Sequence, residues 1–155
     1  MKKISLLLCV GLFACLSWVG AQNETSVVES ERIVKFKKAA EKGSATAQYN
    51  LGVCYYNGID VNVNYEEAFR WYLMAAEQGV VDAQYMVALC YARGKGTLQN
   101  PMEAVRWYRA AAEQGDVAAQ YNLALCYANG VGTSVNSVEA VNWYTRAAEQ
   151  GHVNA

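Results

Sequence analysis

The 155-residue chain carries thirteen Lys and Arg against fourteen Asp and Glu, with one histidine, one proline and five cysteines. No long basic stretch breaks this near-neutral balance, so the electrostatic footprint of a nucleic-acid binder is missing. A single histidine leaves little material for acid–base or metal chemistry.

Residues 1–21 read as a secretory signal peptide. Lys2 and Lys3 form a charged start, residues 4–19 are apolar without a charge, and Val19-Gly20-Ala21 supplies the small residues that precede cleavage. A retained membrane anchor needs about 20 apolar residues in a row, and this run is shorter. No stable membrane insertion is therefore expected once the leader is cleaved. Lipoprotein anchoring at Cys15 is the alternative, although Phe13 stands where a small residue is usual. Either way the chain is expected to be exported, to the periplasm or the medium. Losing the two leader lysines leaves eleven basic residues against fourteen acidic, a net charge of −3.

A short linker, 22–29, leads to a single helix predicted over 30–43. Its Ala39-Ala40-Glu41-Lys42-Gly43 end matches a segment repeated downstream, but Lys35 stands where the repeats carry Trp. Lys35, Lys38 and Lys42 share one face, which suits a capping helix with one side in water.

Three copies of a 36-residue unit then follow without a gap, at 44–79, 80–115 and 116–151. Each begins A-Q-Y-x-x-x-x-C-Y-x-x-G (47–58, 83–94, 119–130) and ends W-Y-x-x-A-A-E-Q-G (71–79, 107–115, 143–151). In the first half, Ala47, Leu51, Cys54 and Tyr55 recur at i, i+4, i+7 and i+8, one apolar helix face. Gly58, Gly94 and Gly130 close that helix. In the second half Asn64, Asn100 and Asn136 are N-caps with Glu67, Glu103 and Glu139 three residues on, a pattern resembling a capping box. Pro101, the only proline, takes the first helical position of its copy. Ala68, Trp71, Tyr72, Ala75 and Ala76 and their counterparts supply the second apolar stripe. Each unit is a helical hairpin, and the predicted fold is all-α: an α/α superhelical solenoid of antiparallel helix pairs. Residues 152–155 begin an incomplete fourth copy, with Ala155 aligned to Ala119.

The residues Ala47, Leu51, Gly52, Tyr55, Gly58, Ala68, Trp71, Tyr72, Ala75, Ala76 and Gly79, at this period, resemble the Sel-one-like repeat, a relative of the tetratricopeptide repeat with longer units. The resemblance covers 44–151 and implies an assembly or signalling scaffold that holds another protein. Some cysteine-rich members of that family are linked with penicillin binding or β-lactam hydrolysis, but they carry paired cysteines within a repeat. This chain has one per repeat: Cys54, Cys90 and Cys126. Departures from the family pattern are Asp60 where the other loops have Gly96 and Gly132, and Ala88 and Ala124 where the first copy has Gly52. The first inter-helix loop is therefore expected to differ in shape.

The cysteines sit at one position of successive repeats, and helices stacked about 8–10 Å apart hold them beyond disulfide reach. They read as buried small hydrophobes. For the same reason they and His152 cannot converge on one metal. His152 lies in the tail, away from any nucleophile, and neither S-x-x-K nor K-T-G occurs. No enzymatic activity and no cofactor is expected.

Residues identical in every copy are explained by folding, so binding is sought where the copies differ. On the first helices, away from the apolar stripe, lie Asn50, Val53 and Asn57, then Met86, Leu89 and Arg93, then Asn122, Leu125 and Asn129. On the concave side of a solenoid they would form a ladder suited to a peptide or protein partner; Val53, Leu89 and Leu125 have a second reading as inter-repeat packing. Tyr56 and Tyr65, unmatched in the other copies, are expected to be exposed. The functional expectation is a non-enzymatic exported adaptor, with a cell-wall or glycan binder, suggested by the many tyrosines, as the alternative.

Overall fold

A computed structural model describes residues 30–152. The leader, the linker and the last three residues of the fourth copy lie outside the described residues. Seven helices follow one another: α1 (Glu31–Glu41), α2 (Ala45–Asn57), α3 (Tyr65–Glu77), α4 (Val81–Arg93), α5 (Pro101–Glu113), α6 (Val117–Asn129) and α7 (Ser137–Glu149). No strand occurs among the described residues. Each helix packs chiefly on the one before and the one after it. The result is the expected all-α solenoid: α2–α3, α4–α5 and α6–α7 are the hairpins, and α1 leans on α2.

The helix boundaries follow from side chains. Ser30, Ser44 and Asp116 cap α1, α2 and α6 by accepting from an amide three residues on, whereas Val80 offers α4 no side-chain bond. Gly58, Gly94 and Gly130 end α2, α4 and α6 with φ of 70°, 65° and 68°, the left-handed region where glycine carries no Cβ penalty.

The asparagine caps accept from Glu67, Glu103 and Glu139 amides at 3.0, 3.2 and 3.1 Å. The reciprocal half of a capping box is replaced by something else. The Asn64, Asn100 and Asn136 N–H groups donate to the Tyr55, Tyr91 and Tyr127 carbonyls, each at 2.9 Å, tying the two helices of a hairpin together. The glutamates are thereby released: Glu67 pairs with Arg70 at 2.7 Å and Glu103 with Arg106 at 2.8 Å.

The core is built from alanine and rings. Ala68, Ala75, Ala83, Ala111 and Ala119 are fully buried, with Leu51, Val87 and Leu123. Such small residues let helices approach closely, and Tyr72 and Tyr108 fill the remaining space. The three cysteines are free, Cys54 and Cys90 buried and Cys126 half-buried. Burial pushes the Cys90 thiol up to about 11, so it behaves as a small hydrophobe.

The first inter-helix loop corrects an expectation. Asp60 takes φ of 60°, close to the 75° and 69° of Gly96 and Gly132, so the loop keeps its shape without glycine. The reason lies in what each residue faces. A Cβ at Gly96 would land on the Tyr65 carbonyl, and one at Gly132 on the Pro101 carbonyl, because each loop rests on the start of the previous repeat's second helix. Asp60 meets the start of α1 instead. There its carboxylate accepts from the Ser30 hydroxyl at 2.9 Å and pairs with Arg32 at 2.7 Å.

Candidate functional site

Two sets of side chains have to be separated: those that hold neighbouring repeats together and those left over. The holding set includes a feature that apolar periodicity does not reveal. Gln48, Gln84 and Gln120 are buried polar residues on α2, α4 and α6. Each amide donates to a carbonyl near the end of the preceding helix, Ala40, Ala76 or Ala112, at 3.1–3.3 Å. Each side-chain oxygen then accepts from Gln78, Gln114 or Gln150 at the end of the following helix, at 2.6–2.9 Å. Three consecutive helices are thus joined through one side chain, and a buried amide is satisfied. The signal was present in the sequence as the invariant Gln of A-Q-Y and of A-E-Q-G.

The tyrosines that suggested glycan binding are mostly spent in the same way. Tyr49, Tyr85 and Tyr121 pair with Tyr72, Tyr108 and Tyr144 at centroid distances of 5.8, 6.0 and 5.6 Å. The tryptophans of the repeats turn inward, and Arg70, Arg106 and Arg146 lie over the Trp71, Trp107 and Trp143 rings at 4.4, 4.8 and 4.6 Å.

Tyr65 is exposed, at 36%, as the sequence suggested, and Tyr56 is half-buried, but neither ring is without partners. They form an edge-to-face pair at 5.2 Å, and Lys95 from the next repeat's loop sits 4.8 Å from one centroid and 4.2 Å from the other. The Lys95 ammonium also donates to the Tyr56 hydroxyl at 3.4 Å. Hydrogen bonding to the Tyr65 hydroxyl, then to that of Tyr56, raises its pKa. This cation–π clasp exists only at the first junction, where the copies carry those three residues. Beside it opens a groove of about 820 Å³ lined by residues including Val63, Tyr65, Glu66 and Leu98. Leu98 is 88% exposed at its rim, a loop residue that helical spacing could not have singled out.

His152 packs against the last repeat. Its ring stacks on Tyr121 at 4.4 Å, and its backbone N–H donates to the Ala147 carbonyl at 3.0 Å. Among the described residues, no group of three or more His, Cys, Asp or Glu is placed to hold a metal ion. Nor is any described helix long and apolar enough to cross a membrane.

The ladder on α2, α4 and α6 remains. Asn57, Arg93 and Asn129 are exposed at its outer rungs, while Asn50, Val53, Met86, Leu89, Asn122 and Leu125 are half-buried, as is Tyr56. Val53, Met86 and Leu89 also pack against the core, so these three side chains serve both the scaffold and the surface. Asn57 and Asn129 each donate one side-chain N–H to the Val53 and Leu125 carbonyls of their own helices, at 3.0 Å. Asn122 donates to the Ala118 carbonyl at 2.8 Å and reaches the Tyr85 hydroxyl on α4 at 3.5 Å, linking successive rungs.

The Sel1 repeat model matches three times, over residues 45–80, 81–116 and 117–152. No curated protein matches the chain by sequence. Among solved structures the chain is similar to a protective antigen present in uropathogenic Escherichia coli strains displaying an SLR fold, with a TM-score of 0.74 and 40% identity over 77% of this chain and 26% of that one. It is equally similar to a Sel1 repeat protein from Oxalobacter formigenes, with a TM-score of 0.73 and 40% identity over 77% of this chain and 49% of the other. The cysteine rich protein B of Helicobacter pylori shares the fold at 19% identity, with a TM-score of 0.62 over 79% of this chain and 92% of that one. The chain therefore spans about a quarter and about half of the first two relatives.

Proposed function

The chain belongs to the Sel1 repeat family, whose members generally mediate protein–protein interaction on a scaffold that is typically non-catalytic; from that premise we propose that this chain is an exported, non-enzymatic adaptor that holds a peptide or protein segment on the ladder of α2, α4 and α6. One observation carries the reading. Most side chains repeated in every copy, the exposed Glu77, Glu113 and Glu149 apart, are consumed by core packing, glutamine bonds and ring pairs, while the ladder presents Asn57, Arg93 and Asn129 to solvent above half-buried Met86, Leu89 and Leu125. A surface of apolar centres with a polar rim is the usual anatomy of a protein interface. Export is supported by the leader pattern at 1–21.

The mature chain, immobilised, should retain a specific protein from envelope extracts of the source cells. Asn57→Glu, Arg93→Glu and Asn129→Glu together place anions on exposed sites in the last turns of α2, α4 and α6, at about 0.3–1 kcal/mol each, so the melting midpoint should fall while unfolding stays cooperative. Retention should then be lost; unchanged retention by this triple variant removes the ladder from the function. Intact mass of the exported protein tests localisation, with a chain starting at Gln22 expected and one extended by a lipid at Cys15 contradicting simple secretion.

A further inference from the structure

Six basic residues lie within the three repeats: Arg70, Arg93, Lys95, Arg106, Arg109 and Arg146. Five are occupied. Arg70 and Arg106 pair with glutamates and cover tryptophans. Lys95 is clasped by two tyrosines, Arg109 bonds the Tyr127 hydroxyl, and Arg146 lies over Trp143. Arg93 alone makes no ion pair, hydrogen bond or ring contact among the described residues; it is exposed, and its charge acts through space on Tyr85, Cys90 and Tyr108.

Its position makes this more than a stray surface charge. Arg93 is the only ionic side chain among the nine ladder positions Asn50, Val53, Asn57, Met86, Leu89, Arg93, Asn122, Leu125 and Asn129. It stands at the middle rung of the outer edge, between two asparagines that each donate one amide N–H to their own helix. A cation in the last turn also favours the helix C-terminus, by about 0.3–1 kcal/mol. That effect does not account for Arg93, because α2 and α6 end at the same position on Asn57 and Asn129 with no basic residue in the last turn. The guanidinium keeps a fork of donors suited to a carboxylate, and arginine is among the side chains most often decisive at interfaces.

We infer that Arg93 anchors a carboxylate of the bound segment, and that the occupant of the ladder is an acidic peptide segment of another protein, with aliphatic residues beside the acid. This rests on the adaptor reading above. The aliphatic part lies against Met86, Leu89 and Leu125, and the acid gives the segment its register along the helices. Charge complementarity at the outer edge selects this occupant: Arg93 is the one ionic group among the nine positions, and the anion on the same helix, Asp82, stands in the first turn of α4 at its opposite end.

A phage-displayed library of random octapeptides, selected in parallel on the mature wild-type chain and on Arg93→Gln, tests it. Peptides recovered on the wild type should be enriched in Asp or Glu next to Leu, Ile, Val or Met. On Arg93→Gln the aliphatic enrichment should persist while the acidic enrichment disappears. A synthetic peptide from the selected set should bind the variant about fivefold more weakly, the scale of an exposed ion pair. Its Glu→Gln form should bind both proteins alike. Aliphatic peptides without acidic enrichment on the wild type, or acidic enrichment unchanged on Arg93→Gln, would overturn the carboxylate anchor and leave the adaptor reading standing. No enrichment on either protein, with envelope capture also lost, would sink both. Concentration-dependent self-association of the wild type that Arg93→Gln abolishes would assign the ladder to a second copy, against the peptide proposed here.

Discussion

Gln78 donates to the Gln48 side-chain oxygen at 2.6 Å while Gln48 donates to the Ala40 carbonyl at 3.1 Å, so one buried amide joins α1, α2 and α3. The same arrangement recurs 36 residues on with Gln114 and Gln84, and again with Gln150 and Gln120. It sets the relation between successive repeats as firmly as the apolar contacts do, because a buried carbonyl and a buried amide each cost free energy when left unpaired.

Replacing Gln84 with Leu should therefore destabilise the chain by about 2 kcal/mol despite the gain in hydrophobicity. The Ala76 carbonyl keeps only its backbone donors and the Gln114 amide only its bond to the Ala110 carbonyl. Gln114→Ala should cost about half as much, since Gln114 is exposed and water replaces part of what is lost. Urea denaturation of the two variants measures the order; equal costs would show that the bond to Gln114 does not depend on burial of Gln84.

The loops offer a sharper contrast. Gly96→Ala places a methyl group on the Tyr65 carbonyl and forces a side chain into φ of 75°. Its expected cost is about 3 kcal/mol or more, from backbone strain and overpacking together. Asp60→Gly, at the equivalent position, relieves a positive φ but loses the bonds to Ser30 and Arg32, and should change stability by less than about 1 kcal/mol. Thermal melts of both variants decide whether the previous repeat, rather than the loop itself, demands glycine.

Gly52 and Tyr56 depend on one another. A Cβ at Gly52 would sit 2.6 and 2.7 Å from carbons of the Tyr72 ring, and Tyr72 in turn meets Tyr56 at 6.3 Å. The other copies carry Ala88 with Ala92 and Ala124 with Ala128, so the small residue and the large one exchange volume around the same ring. Gly52→Ala should lose about 1–2 kcal/mol, the overpacking exceeding the gain in helix propensity. With Tyr56→Ala also present, the combined loss should fall short of the sum by about 1 kcal/mol. Additive losses in a double-mutant cycle would separate the two positions.

Stability should fall in alkali from near pH 9. Burial raises the Cys90 thiol from 9.0 to about 11. Burial also raises Tyr72 and Tyr108 above their ordinary range. For such acids the neutral form belongs to the fold, so the unfolded chain loses its protons first as pH rises. Unfolding then releases protons, and stability is full below pH 9 and declines between pH 9 and 11, by about 2 kcal/mol from Cys90. Urea midpoints across that range should move down, and less so in Cys90→Ala. A flat profile would mean that the thiol ionises equally well in both states.

Most of the fold was legible because the determinants are local and occur three times. Periodic alanines, the Asn caps and Gly58, Gly94 and Gly130 announce each helix from within a few residues, and repetition removes the ambiguity that a single copy would leave. Asp60 was misread because the glycine it replaces answers to a residue in another repeat, not to its own loop. The clasp of Lys95 on Tyr56 and Tyr65 was not legible because Lys95 belongs to the next repeat and closes over them only when the loop of one repeat lies on the helices of the one before.

By itself the sequence determined the period, the helix ends, the inward face of every helix and the positions at which the copies disagree. Those features depend on spacing and on backbone preferences that act within a turn or two. Which of the irregular residues remain unspent was decided only by tertiary structure. Partnership between charged, aromatic and amide groups needs an approach of a few ångströms, and residues 30–40 apart reach it only once the repeats are stacked. Of the six cations in the repeats, Arg70, Arg106 and Arg146 are engaged within their own helices, Lys95 and Arg109 only across packed repeats, and Arg93 stands exposed at the end of α4.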